Sequence, residues 1–145
     1  MADTRFLKDQ VEQYVRAALK GEYGVGFDSR FLKLSTGGRH EFDAVSEDEQ
    51  IVATIKSSSG KTAAGNLPSG KIQAVEAELY YLTLVDAPVR MVVLTTPQFF
   101  DIMRGRLKGK LAPGLHLKLV ELPSELQALA SRVQQKASRE VSNTV

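Results

Sequence analysis

Apolar and polar positions along the chain follow two periods, one near 3.6 and one near 2, and the changes between them mark out the elements. From Thr4 to Lys20, Leu7, Val11, Tyr14, Val15 and Ala18 recur at helical spacing, which predicts a helix ending at Gly21. The stretch from Gly21 to Gly38 is punctuated by glycine, so it cannot be one long helix. Phe27, Phe31, Leu32 and Leu34 predict a strand there, irregular near Asp28 and Ser29, with a turn at Thr36-Gly37-Gly38. Arg39 to Ser46 then alternates. That alternation predicts a strand with His40, Phe42 and Ala44 on one face and Glu41, Asp43 and Val45 on the other. Glu47-Asp48-Glu49 predicts a hairpin turn. Gln50 to Lys56 predicts a third strand, with Ile51, Ala53 and Ile55 opposite Val52, Thr54 and Lys56.

The second half reads differently. Ser57 to Gly70 is rich in Ser, Gly and Ala and contains Pro68, which predicts a loop. A helix starting near Ser69 presents Ile72, Val75, Leu79 and Leu82 as one stripe and ends by Asp86-Ala87-Pro88. Val89 to Thr96 is almost wholly apolar, as a strand covered on both faces would be. Pro97 opens a short helix through Phe99, Phe100, Ile102 and Met103, which Gly105 and Gly109 should weaken. Leu115 to Leu122 predicts a further strand, and Pro123-Ser124 a last helix carrying Leu126, Leu129 and Val133. The order is helix, three strands, helix, strand, short helix, strand, helix. Hairpins followed by strand–helix–strand crossovers predict an α/β fold with a mixed sheet and helices on both faces. Residues 1–122 are expected to form the core, with 123–145 a C-terminal helix and polar tail packed on the same domain.

Composition narrows the function classes. An apolar share of 43% in 145 residues suits a single globular core. No apolar run reaches the roughly 20 residues of a membrane-spanning helix, and no signal peptide is visible. The absence of cysteine excludes thiolate catalysis and Cys-ligated zinc, and a reducing cytoplasm is the expected compartment. Net charge is only +2, but it is unevenly spread. Lys56, Lys61 and Lys71 fall in one acid-free stretch, and Arg104, Arg106, Lys108, Lys110 and Lys118 in another. Arg104 to Lys110, interleaved with Gly105, Leu107 and Gly109, reads as a flexible basic loop able to follow phosphates or as a solvated helix end.

The sharpest chemistry lies on two neighbouring strands. Arg39-His40-Glu41-Phe42-Asp43 is followed, after the acidic turn, by Ala53-Thr54-Ile55-Lys56, so that Asp43 should approach Thr54 and Lys56. In these residues, and in its helix, three-strand, helix, strand order, the chain resembles the PD-(D/E)xK, or restriction-endonuclease-like, nuclease superfamily. The resemblance covers about Thr4 to Thr96 and extends loosely to Leu122. It implies an αβββαβ core and a Mg²⁺- or Mn²⁺-dependent endonuclease acting on DNA, ahead of RNA, with a homodimer compatible. Asp43 would then be a metal carboxylate, the Ile55 carbonyl a further ligand and Lys56 the catalytic cation. Glu12 resembles an extra acid that some members carry on the first helix. Lys61, Lys71, Arg104, Arg106, Lys108 and Lys110 are the expected nucleic-acid contacts.

Two departures stand out. Phe42 replaces the family's proline, and Thr54 stands where a second acid is expected. A neutral hydroxyl lacks the charge that makes a site for a hard ion tight. Glu41, two residues before Asp43, is one candidate for the missing carboxylate; Glu12, Glu76 and Glu78 are others. Without such a replacement the chain would be a catalytically degenerate nuclease-like module that binds nucleic acid or protein. His40, facing away from Asp43, reads as a packed or surface histidine, and Tyr80 and Tyr81 as core or interface residues. Ser57-Ser58-Ser59-Gly60-Lys61-Thr62 lacks the leading glycine of a phosphate-binding loop, because Ile55 occupies that position, so nucleotide hydrolysis is excluded.

Overall fold

The computed structural model describes residues 4–57 and 69–132. Its elements are α1 (Thr4–Tyr23), β1 (Phe27–Lys33), β2 (Arg39–Ser46), β3 (Ile51–Lys56), α2 (Ser69–Thr83), β4 (Val89–Leu94), α3 (Pro97–Leu107) and β5 (Leu115–Leu119). A further helix, α4, occupies residues 124–132. The five strands form one sheet in the order β1-β2-β3-β4-β5. The β1/β2 and β2/β3 pairs are antiparallel, and β3/β4 and β4/β5 are parallel. The α/β class and the mixed sheet are as the sequence predicts. No helix among the described residues is long and apolar enough to cross a membrane.

Each face of the sheet carries its own core. Leu7, Val11, Val15 and Leu19 of α1 pack on Ala44, Ala53, Ile55, Met91 and Val93, joined by Leu122, Leu126 and Ala130 from the α4 region. On the other face, Ile72, Val75, Leu79 and Leu82 of α2 and Phe99, Met103 and Leu107 of α3 cover Val52, Val92 and Leu94. β4 feeds both cores, which explains its unbroken apolar run. Val133 and the tail beyond it fall outside the described residues, as does most of the loop after β3.

The ends of α1 and α3 differ from the sequence reading, each for a local reason. Helix α1 continues through Gly21 to Tyr23 and stops at Gly24, whose φ of 74° is the left-handed turn that glycine adopts without penalty. Gly24 donates its N–H to the Lys20 carbonyl at 2.8 Å. Tyr14 is exposed, and Leu19 fills the buried position instead. Helix α3 runs through Gly105 to Leu107 because Phe99, Met103 and Leu107 form one buried stripe whose packing outweighs the glycine. Arg104 and Arg106 are therefore helix-surface residues.

The most consequential difference lies in β2, where strict alternation fails. Pairing with β1 advances two residues, from Asp28 to Arg30, while β2 moves three, from Val45 to Phe42. One extra residue is thus accommodated at Asp43–Ala44 as a β-bulge. Phe42 and Val45 consequently share the α2 face, while Ala44 joins the α1 face. The expected grouping of Phe42 with Ala44, and of Asp43 with Val45, is corrected by this bulge.

Beyond the bulge, the paired residues of β2 and β3 end at Ala44 and Ala53. The outer half of the β1–β2 hairpin leaves β3 and packs on α2 through Leu32, Leu34 and Phe42. Ser35 N–H reaches the Leu84 carbonyl at 2.9 Å and ties the hairpin tip to the end of α2. Phe42 is fully buried in this contact. Replacing it with alanine, Phe42→Ala, should cost about 3–5 kcal/mol. Urea unfolding read by circular dichroism measures this, and a loss below about 1 kcal/mol would mean that the arm is not held by the core.

Candidate functional site

Where the β2–β3 ladder stops, at Ala44 and Ala53, the two strands part, and the polar lining of the opening between them follows from the lost ladder. The Ile55 N–H, left without a strand partner, is taken by the Asp43 carboxylate: Oδ2 accepts at 2.8 Å. The N–H and C=O of one strand residue point to the same edge, so the Ile55 carbonyl faces the same gap. The Asp43 main-chain carbonyl accepts from Arg16 Nε at 2.8 Å. Arg16 also donates to Glu12 Oε1 at 3.1 Å, and Lys8 Nζ lies 3.8 Å from Glu12 Oε2. Lys8, Glu12 and Arg16 stand four residues apart, so one face of α1 delivers all three to the back of the opening.

The α2 side supplies a second carboxylate. Thr54 is buried, and its hydroxyl donates to Glu78 Oε2 at 3.3 Å. The same oxygen lies 3.1 Å from His40 Nε2. A carboxylate only accepts, so His40 carries its hydrogen on Nε2. The imidazole is held by a stack on Tyr81, with centroids 4.1 Å apart and planes 12° from parallel, and by an edge contact with Phe42. Glu78 thereby spans from the departing arm of β2 to β3.

Electrostatics tie the three acids together. Burial pushes the Asp43 carboxyl above its ordinary value, and the negative charge of Glu78 adds to this. The Ile55 N–H, Lys8 and Lys56 oppose the rise without cancelling it. Glu12 is likewise raised, first by burial and then by Asp43. Its Oε2 is buried with no hydrogen-bond partner. Asp43 thus acts on Glu12 from the α1 side and is itself acted on by Glu78 from the α2 side.

The site residues expected from the sequence are dispersed unevenly. Asp43, Thr54, Ile55 and Lys56 meet at the opening, and Glu12 lies behind it. Glu41 is exposed and takes no part in these hydrogen bonds or ion pairs. Glu76 is exposed on α2, and the inward acid is Glu78, two residues on. Lys71 is exposed in the first turn of α2, while Lys61 falls outside the described residues. Arg104, Arg106, Lys108 and Lys110 sit elsewhere. α3 closes beside Leu115, where β5 begins, whereas Lys56 pairs with Leu94 at the far end of the parallel strands. Arg104 and Lys108 line a shallow groove of about 320 Å³ with Phe100, Leu107 and His116. Three participants escaped the sequence reading: His40, Lys8 and Arg16. The four-residue spacing around Glu12 was a signal for the last two. For His40 there was none, because its role depends on the arm leaving the sheet.

The oxygen donors around the gap, two carboxylates and a carbonyl, are of the kind that hard divalent cations take. Among the described residues, no group of three or more His, Cys, Asp or Glu side chains is arranged to hold a metal ion. A magnesium site here would rest on Asp43, Glu78, the Ile55 carbonyl and water, the sparse protein ligation that magnesium tolerates. A scan against protein-family models finds no match, and neither the curated proteins nor the solved structures contain one.

The raised carboxyl of Asp43 has a stability consequence. A carboxyl raised on folding stabilises the protein while protonated, and that contribution is lost as pH rises from the unfolded value, near 3.8, through the higher folded one. Asp43→Asn keeps an acceptor for Ile55 and removes the buried charge. Its urea midpoint should exceed that of the wild type at pH 7, and the gap should close below pH 4. An equal or lower midpoint at pH 7 contradicts the buried-charge account.

Proposed function

We propose that the protein is a metal-dependent nuclease of the PD-(D/E)xK type that hydrolyses phosphodiester bonds in DNA. The observation that carries this reading is Glu78, whose carboxylate reaches across α2 to the Thr54 hydroxyl. A migrated acid then stands in for the one missing at Thr54, on an αβββαβ order of elements. The pairing of the two strands that bear Asp43 and Lys56 stops at Ala44 and Ala53, just before these residues.

On this reading each residue has a task set by its surroundings. Asp43 and Glu78, with the Ile55 carbonyl, hold the cation. Bound Mg²⁺ or Mn²⁺ supplies Lewis-acid polarisation of the phosphate and a lowered pKa for an attacking water. Lys56, whose positive charge already acts on Asp43, stabilises negative charge developing on the phosphoryl oxygens. Thr54 serves Glu78 as a hydrogen-bond donor and is not itself a ligand. Arg104, Arg106, Lys108 and Lys110 would meet backbone phosphates away from the cut, and Lys71 those nearer to it.

A second reading, a nuclease-like module that binds without cutting, is favoured by one specific observation. Glu78 Oε2 is already engaged by both His40 and Thr54, which can lock it as a structural strut.

A cleavage assay on plasmid and linear DNA with Mg²⁺ or Mn²⁺ separates the two. Asp43→Asn, Glu78→Gln and Lys56→Met should each lower the rate at least about a hundredfold, or about 2.7 kcal/mol of transition-state stabilisation. Thr54→Ala should cost less than about tenfold, since it removes one neutral hydrogen bond worth about 1 kcal/mol. Cutting that survives all three of the first substitutions rules out this site, whereas DNA binding without metal-dependent cutting supports the module.

A further inference from the structure

His40 stands apart from the residues just assigned tasks, yet it is the most constrained side chain at the opening. Its ring is fixed on three sides. Tyr81 stacks on one face at 4.1 Å, Phe42 meets it edge-on at 4.8 Å, and Nε2 lies 3.1 Å from Glu78 Oε2. Both aromatic neighbours are anchored, Phe42 in the core and Tyr81 against it. The imidazole therefore cannot turn without disturbing packing.

Glu78, by contrast, has a flexible side chain on an exposed-to-buried boundary of α2, and that side chain is 17% exposed. Thr54 alone gives it one bond of 3.3 Å, near the long limit of a useful hydrogen bond. The shorter bond comes from His40. Because His40 lies on the arm that departs at the bulge and Thr54 on the strand left behind, only their joint hold directs the carboxylate into the gap between them. We infer that His40 is a positioning residue that aims Glu78 as a metal ligand.

This inference rests on the nuclease reading of Glu78 as a ligand, and goes beyond it by making the metal affinity depend on a residue that touches no metal. Outer groups that orient metal ligands commonly change affinity by about ten- to a hundredfold. The donor and the ring can be separated by substitution. His40→Phe keeps an aromatic side chain against Tyr81 and loses the donor. His40→Gln loses the ring but places an amide N–H near the former Nε2.

The test is Mn²⁺ binding to the full chain by calorimetry, with Glu78→Gln alongside and thermal melts to verify folding. His40→Phe should weaken Mn²⁺ binding about ten- to a hundredfold while retaining the fold, and His40→Gln should recover most of the loss. In cleavage, His40→Phe should raise the Mn²⁺ concentration needed for half-maximal rate and leave the saturated rate within a few-fold. Unchanged Mn²⁺ affinity in His40→Phe, with loss in Glu78→Gln, overturns the positioning role and leaves the nuclease reading standing. Wild-type affinity in Glu78→Gln, or no Mn²⁺ binding by the wild type, overturns both. A uniform loss in His40→Phe and His40→Gln alike, with matching melting losses, marks His40 as packing only and overturns the inference.

Discussion

β2 gains one residue against β1 at Asp43–Ala44, and its ladder with β3 stops at the same place. β2 keeps β1 and gives up β3, and the rest of the site depends on that choice. The separation frees the Ile55 N–H and the Asp43 carbonyl, two groups that would each cost free energy if left buried and unpaired. Asp43 satisfies one with its own side chain and Arg16 satisfies the other. A hydrogen bond to an ionised group contributes more than one between neutral groups, about 1.5–3 kcal/mol. That contribution offsets part of the cost of holding a carboxylate in a half-buried gap. The bulge and the candidate ligand are therefore one feature: moving Asp43 would leave the opening without a stopper.

The polar network around the opening is divided between the two faces of the sheet, and Asp43 alone reaches both. Glu12, Arg16 and Lys8 come from α1, where spacing by four residues brings them together. Glu78 and His40 meet on the α2 side because the hairpin arm folds over that helix. Burial and the charge of Glu78 raise the Asp43 carboxyl, burial and the charge of Asp43 raise that of Glu12, and nearby cations only partly relieve the two. A cluster of this kind is costly as a mere support for the fold. Carboxyls perturbed in this way occur at functional sites and in structural ion-pair networks alike.

Much of the scaffold was legible in the sequence because periodicity records burial. The helical stripes of α1 and α2 and the unbroken apolar run of β4 each named the faces they bury. Asp43, Thr54 and Lys56 were brought together as the strand order implied. The pattern failed where two answers share one sequence. Phe42-Asp43-Ala44-Val45 reads as plain alternation, yet a single added residue puts Phe42 and Val45 on the same side. His40 was then assigned away from Asp43, although it bonds to the acid opposite Thr54. The inward acid of α2 was legible only as a set of candidates, since Glu76 and Glu78 lie two residues apart on one helix and only the packing of α2 decides which turns inward.

The last strand has a property that concerns the protein in solution more than its chemistry. β5 closes the sheet at one side, and among the described residues no strand pairs beyond it. Leu115, His116 and Leu117 line the same shallow groove although successive strand residues face opposite ways, so the groove follows the open backbone edge. Such an edge is a template for another chain, and crowded solutions exploit it. Here Arg104 and Lys108 stand along it, and any second molecule laying its own β5 alongside in a symmetric pair would bring those cations together. Two cations of the run that drew attention as a phosphate contact therefore also stand where like-charge repulsion would oppose such a pairing.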